Sequence, residues 1–335
     1  MNDLLTCNEE LTMTFIASVI AKKGVAIIAD SLVTSMERVI EYNTFLNFFK
    51  EKFEETPINE IKMEPHEIIS LFELKPSHTK DFEEKLFQFD KFTAVTTAGA
   101  ASINKKRIEY IIKEFTLKNK NHKTRKFENQ IKDFSEYLGK QAIEHLRANG
   151  YISNTTFIFT HYNRLKETTT IYKVEIIPCS KKDIRNAAFN CIHYRKMEDY
   201  YRVVCDGQNR ISERILFGEI DFFLEITPQI IERVIEKLKI LTENIPPGFV
   251  KDFLAEAKSF LPRHFFEDMK INRLADLSLQ QAVDLASLLM KIETNFQKYT
   301  ENIPTVGGVI KLAVIDKDGF RYISGNEILQ SEKLN

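Results

Sequence analysis

The sequence predicts a mixed α+β protein built on antiparallel strand pairs, and three features carry that prediction. Residues 14–20 and 23–31 form two apolar β-rich runs that meet at a tight turn. Residues 155–162 and 168–177 flank Asn163-Arg164-Leu165-Lys166, the pattern of an antiparallel hairpin. Between them, residues 102–118 and 127–148 repeat apolar side chains at helical spacing, the second segment stopping at Asn149-Gly150.

The remaining elements follow in order. After the first strand pair, apolar spacing over residues 36–53 predicts a helix of about four turns. Pro57, Pro65 and Pro76 divide the stretch up to Lys85 into short pieces, which suits an insertion better than a continued sheet. Residues 85–97 contain two short β-rich runs that end at Ala98-Gly99, ahead of a helix with Ile108, Ile111, Ile112 and Phe115 on one face. Residues 201–207 read as a strand leading into a helix at 208–217. Helical spacing recurs at 228–242, 249–260 and 277–299, with Pro246 and Pro247 separating the first two. Residues 305–320 close as a hairpin turning at Asp318-Gly319.

Composition narrows the class. The 335 residues are 43% hydrophobic and include 26 Phe, ample for one large, decorated domain. Forty-seven basic residues balance 48 acidic ones, so no global field points to nucleic acid or a membrane surface. No run of eighteen apolar residues occurs, and Asp3, Glu9 and Glu10 interrupt the first thirteen residues, so a soluble, cytoplasmic protein is expected. Cys7, Cys179, Cys191 and Cys205 lack CxxC spacing and read as structural thiols. The seven histidines form no pair at metal-ligand spacing, and neither a P-loop nor GxGxxG is present, so neither metal nor cofactor is expected.

Two spacings point to chemistry. Thr14 opens the first strand and Asp30 follows the second, sixteen residues later. Lys85 precedes the later strand pair and Gly99 ends it, fourteen residues on. Both offsets resemble those of proteasome β subunits and related N-terminal nucleophile (Ntn) hydrolases. The resemblance spans Thr14 to about Ser324, excluding insertions at about 34–84 and 218–275. It implies a four-layer αββα sandwich, two antiparallel sheets covered outside by helices. Residues 1–13 would then be an N-terminal extension, either a propeptide or a misassigned start, and residues 14–335 a single domain.

That resemblance implies a role for each residue. A threonine hydroxyl is a weak nucleophile near neutral pH and needs a base and an oxyanion site to attack an amide. An N-terminal Thr14 would supply its own α-amine as base, Lys85 would lower the hydroxyl pKa, Asp30 would fix Lys85, and the Gly99 amide would face the oxyanion. The expected activity is a threonine-type peptidase or amidohydrolase acting on peptide or protein substrates, as a homo-oligomer and with an unfoldase as a candidate partner. Two departures stand out: Met13 precedes Thr14 where self-processing members usually have glycine, and the family's Gly-Ser-Gly turn and Asp-x-x-Ser-Gly-Gly motif read Asp206-Gly207-Gln208-Asn209 and Ile303-Pro304-Thr305-Val306-Gly307-Gly308, without either serine or the second aspartate. The alternatives are a non-catalytic scaffold of the same fold, resembling ring-forming α subunits, and an unrelated α+β binding domain. In those, Thr14 is a strand threonine, Asp30 a turn residue, Lys85 part of a solvated charge cluster and Gly99 a helix-start glycine.

Overall fold

The computed structural model describes residues 14–55, 65–80, 83–118, 126–180, 191–197, 202–217, 274–300 and 303–323, with isolated positions 231, 233 and 249. The first half contains β1 (Phe15–Ala21), β2 (Gly24–Ala29), β3 (Val33–Val39), α1 (Tyr42–Glu55), α2 (Pro65–Ser70), β4 (Glu73–Lys80), β5 (Leu86–Asp90), β6 (Thr93–Gly99), β7 (Ser102–Ile103), β8 (Lys106–Arg107), α3 (Ile108–Lys118) and α4 (Phe127–Asn149). There follow β9 (Tyr151–Ile152), β10 (Thr155–Asn163), β11 (Thr168–Ile176), β12 (Cys179–Ser180), β13 (Ile192–Lys196), β14 (Val203–Gly207), α5 (Arg210–Phe217), α6 (Leu279–Thr300), β15 (Lys311–Asp316) and β16 (Gly319–Ile323).

Two five-stranded antiparallel sheets organise these elements, in the orders β14-β1-β2-β15-β16 and β13-β11-β10-β6-β5. Burial of both faces explains why β1 is apolar at every position but Ser18. Phe15, Ala17, Val19 and Ala21 pack with α6 residues such as Ala282, Ala286 and Leu289, whereas Ile16 and Ile20 join Ile158, Tyr162 and Ile171 of the second sheet. The other face of the second sheet sends Phe157, Phe159 and Val174 into a cluster with Ile111 and Phe115 of α3 and Phe134 and Leu138 of α4. The Ser18 and Thr160 hydroxyls, both buried, hydrogen-bond at 2.8 Å between β1 and β10. Such a bond satisfies two groups that would otherwise be costly to bury. Among the described residues no helix is long and apolar enough to cross a membrane.

The two expected hairpins form, and α4 ends where Gly150 adopts φ 87° and its N–H bonds Leu146 O at 2.8 Å. Four expectations need correction. The expected helix over 36–53 divides: residues 33–39 are a strand, and α1 begins only at Tyr42. The region of Pro57, Pro65 and Pro76 does contain sheet, because β4 runs through Pro76 and pairs with β3. A two-stranded ribbon leaves each strand one unpaired edge, so a residue without an N–H fits, and the register shifts there between Ser35 and Met36. The helix expected from residue 102 starts at Ile108, after the β7–β8 turn at Asn104 and Lys105, both in the left-handed region at φ 51° and 62°. The final hairpin turns at Lys317-Asp318, one residue early, since Asp316 pairs directly with Gly319. The helices expected at 228–242 and 249–260 lie outside the described residues except at 231, 233 and 249, which are helical.

Candidate active site

All four residues singled out in the sequence stand at strand ends. Thr14 immediately precedes β1, Asp30 immediately follows β2, Lys85 immediately precedes β5, and Gly99 is the last residue of β6. The β1–β2 register places Ile16 opposite Ala29, which brings Phe15 beside Asp30. Phe15 N donates to Asp30 Oδ1 at 3.2 Å, and Asp30 N donates back to Phe15 O at 3.2 Å.

Lys85 closes the arrangement. Its Nζ donates to Thr14 Oγ1 at 2.8 Å, to Asp30 Oδ1 at 3.0 Å and to Leu32 O at 2.6 Å. Three acceptors match the three N–H groups of an ammonium. The lysine side chain is 8% exposed and the aspartate side chain 0%, so the solvated charge cluster weighed for Glu83-Glu84-Lys85 does not describe Lys85. Burial pulls the Lys85 ammonium below the ordinary lysine range, against the attraction of Asp30. The same burial pushes the Asp30 carboxyl up, opposed by Lys85 and by N–H groups of Gly307 and Phe15. A weakened hold on its proton makes Lys85 a more acidic hydrogen-bond donor to the Thr14 hydroxyl.

The second Asp30 oxygen anchors a distant loop. Oδ2 accepts Leu32 N at 3.3 Å and Gly307 N at 3.1 Å. Gly307 O in turn accepts Ser31 N and Leu32 N, each at 3.1 Å, and Val309 N donates to Ser31 Oγ at 2.8 Å. On the other flank, Gln208 N donates to Thr14 O at 2.6 Å. Gly207, at φ 90°, passes so close that an added Cβ would lie 1.8 Å from Thr14 O, so only glycine fits.

Thr14, Lys85 and Gly99 line one pocket, together with Leu32, Thr34, Thr97 and Ala101. Glu83 and Glu84 also border it, the former 3.6 Å from Arg107 and the latter paired with Lys311. Gly99 is exposed there at φ 107°, and a Cβ at this position would lie 2.3 Å from Asn154 O. The structure therefore brings Thr14, Asp30 and Lys85 into direct contact and sets Gly99 on the wall of the same pocket.

Two other hydroxyl or thiol groups lie near Thr14. Cys205 pairs with Ala17 on β1, but burial drives its thiol far above the usual range. Ser31 is as buried as Thr14, but its Oγ accepts Val309 N, whereas the Thr14 hydroxyl accepts the Lys85 ammonium. Not foreseen from the sequence are Leu32, which acts through its main chain, Gln208, whose N–H holds Thr14 O and whose side chain accepts Gln297 Nε2, and Gln297, whose amide reaches both flanking loops. A signal for Gln297 existed, because it falls in register with Ala286, Leu289, Met290 and Glu293 on the buried stripe of α6. Among the described residues no cluster of three or more metal-ligating side chains occurs. No protein-family model matches the chain, and no curated protein matches its sequence.

Proposed function

We propose that this chain is a proteasome-like Ntn hydrolase, a four-layer αββα sandwich that cleaves peptide or other amide bonds with Thr14 after its α-amine is exposed by removal of the residues before it. The observation that carries this reading is the Lys85 ammonium bridging the Thr14 hydroxyl and the Asp30 carboxylate inside a pocket. The three clusters support the layer order: α6 against one sheet, α3 and α4 against the other, and a core shared by both sheets.

The reaction follows from these positions. Thr14 Oγ1 attacks the amide carbonyl carbon while its proton passes to the freed α-amine, and Lys85 stabilises the developing alkoxide. The tetrahedral oxyanion is held by the Gly99 N–H. Collapse breaks the C–N bond, with the proton returning to the leaving amine, and water then hydrolyses the Thr14 ester.

Turnover of a fluorogenic peptide library by a chain beginning at Thr14 tests the reading. Hydrolysis that disappears in Thr14→Ala supports it; hydrolysis unchanged in that variant, or none by either protein, contradicts it. A second reading, a non-catalytic scaffold, is favoured by one observation: Gln208 and Val306 stand where active proteasome β subunits carry serine, and Ile303 where they carry aspartate. That reading expects a folded protein that still starts at Met1 or Asn2 and cleaves nothing.

A further inference from the structure

We infer that Gln297 is a positioning residue that locks the two loops flanking Thr14 to helix α6, an inference resting on the reading of Thr14 as the nucleophile. Gln297 is 3% exposed and stands one turn before the end of α6. Its Oε1 accepts three donors: Thr305 N at 2.8 Å, Val306 N at 2.9 Å and Thr305 Oγ1 at 3.2 Å. Its Nε2 donates to Gln208 Oε1. One amide thus uses its acceptor on one loop and its donor on the other, which neither a carboxylate nor an alkyl group can do.

Each loop it holds ends on the site. Directly after Val306, Gly307 gives its N–H to Asp30 and its carbonyl to Ser31 and Leu32, whose own carbonyl accepts Lys85. Gln208 gives its N–H to the Thr14 carbonyl, behind the hydroxyl that Lys85 holds. Thr34 Oγ1 adds a further tie to the Thr305–Gly307 loop, donating to Pro304 O at 3.0 Å. Gln297 therefore joins, through two short paths, the carboxylate that orients Lys85 and the backbone that orients Thr14. One turn earlier Glu293, also buried, accepts Ser212 N and Oγ at 2.8 and 2.7 Å, so this end of α6 docks through polar side chains. Such groups fix a single arrangement when every partner is present and lose it when one is removed.

Residue-resolved hydrogen exchange on the full chain tests the clamp, comparing wild type, Gln297→Leu, Gln297→Glu and Leu289→Ala. The last variant opens a cavity under the same helix while leaving every Gln297 hydrogen bond in place, and controls for lost stability and for packing against Val306, which shares its cluster. In Gln297→Leu the amides of Ser31, Leu32, Gly307 and Gln208, none bonded to Gln297 itself, should exchange at least about tenfold faster than in Leu289→Ala. Gln297→Glu retains the acceptor and should restore protection at Ser31, Leu32 and Gly307. Equal exchange at these four amides in Gln297→Leu and Leu289→Ala would overturn the inference. Covalent modification of an exposed Thr14 by a peptide electrophile provides the second readout: the maximal rate constant should fall about tenfold or more in Gln297→Leu, with half-saturation unchanged. A wild-type protein that reacts while Gln297→Leu reacts equally fast also overturns the clamp. A wild-type protein that never reacts instead removes the hydrolase reading, and the exchange data then decide the clamp alone.

Discussion

Lys85 and Thr14 are 71 positions apart in the chain, yet the lysine Nζ lies 2.8 Å from the threonine hydroxyl in a buried contact. Two hairpins place them: Thr14 opens β1, Lys85 opens β5, and Asp30 at the end of β2 ties them together.

Replacing Lys85 by Ala should reduce amide hydrolysis by about 10²–10⁴-fold, the range typical of one positioned proton-transfer or charge-stabilising group. It also leaves Asp30 buried without its cation, which costs about 3–5 kcal/mol when a buried pair is broken. Denaturant titration alongside the kinetics separates the two effects, because Lys85→Ala/Asp30→Asn should recover much of the stability and none of the rate.

Gly99→Ala should be strained for two reasons: its φ of 107°, and Asn154 O lying 2.3 Å from where the Cβ would go. A loss of about 1–3 kcal/mol in urea unfolding is expected, with a larger proportional loss of activity because the strain falls on the pocket wall. A variant as stable and active as wild type would show that the backbone at Gly99 does not face the reacting group.

Much of the site was legible because each half of it is local. Thr14 and Asp30 belong to one hairpin, Lys85 and Gly99 to another, and a fixed hairpin register turns sequence offset into spatial position. The β3–β4 ribbon was hidden because its partners lie about 40 residues apart with a helix and a proline-containing stretch between them, and Phe45, Phe48 and Phe49 extended an apparent helical period backward into β3. The roles of Leu32 and Gly307 were invisible in principle, since any residue supplies a carbonyl or an N–H. Gln297 was legible only as a polar side chain on an apolar stripe.

Acid should weaken the fold partly through His161. Burial holds this imidazole below the usual 6.5, against the pull of Asp90, while its Nδ1 bonds Thr93 Oγ1 at 2.8 Å and its ring stacks on Phe127. The folded state therefore binds its proton less readily than the unfolded chain. Its stabilising contribution is fully present above pH 6.5 and is lost as pH falls from there through the folded value. His161→Phe should flatten the dependence of the urea midpoint on pH in that window, and an unchanged slope would assign the acid sensitivity to other groups.

The apolar strip of α3 faces the core. Ile108, Ile111, Ile112 and Phe115 are at most 3% exposed and pack inside the chain, so they offer no surface for a ring contact. Tyr110 and Leu117, 63% and 69% exposed, are the apolar residues α3 presents outward. If the chain assembles through this helix, Tyr110→Glu/Leu117→Glu should lower the mass measured by light scattering while leaving the circular dichroism spectrum unchanged. The same mass for both proteins would move the contact elsewhere.

The central claim is that the Thr14 oxygen is the nucleophile and Lys85 activates it. The most direct measurement is peptide-level mass spectrometry after a chain beginning at Thr14 reacts with an epoxyketone or vinyl-sulfone peptide, run beside Lys85→Ala and Thr14→Ala. A single adduct on Thr14 is expected, formed at least about 100-fold more slowly in Lys85→Ala and absent in Thr14→Ala. An adduct on another residue that persists in Thr14→Ala, or a rate at Thr14 indifferent to Lys85, would contradict the claim.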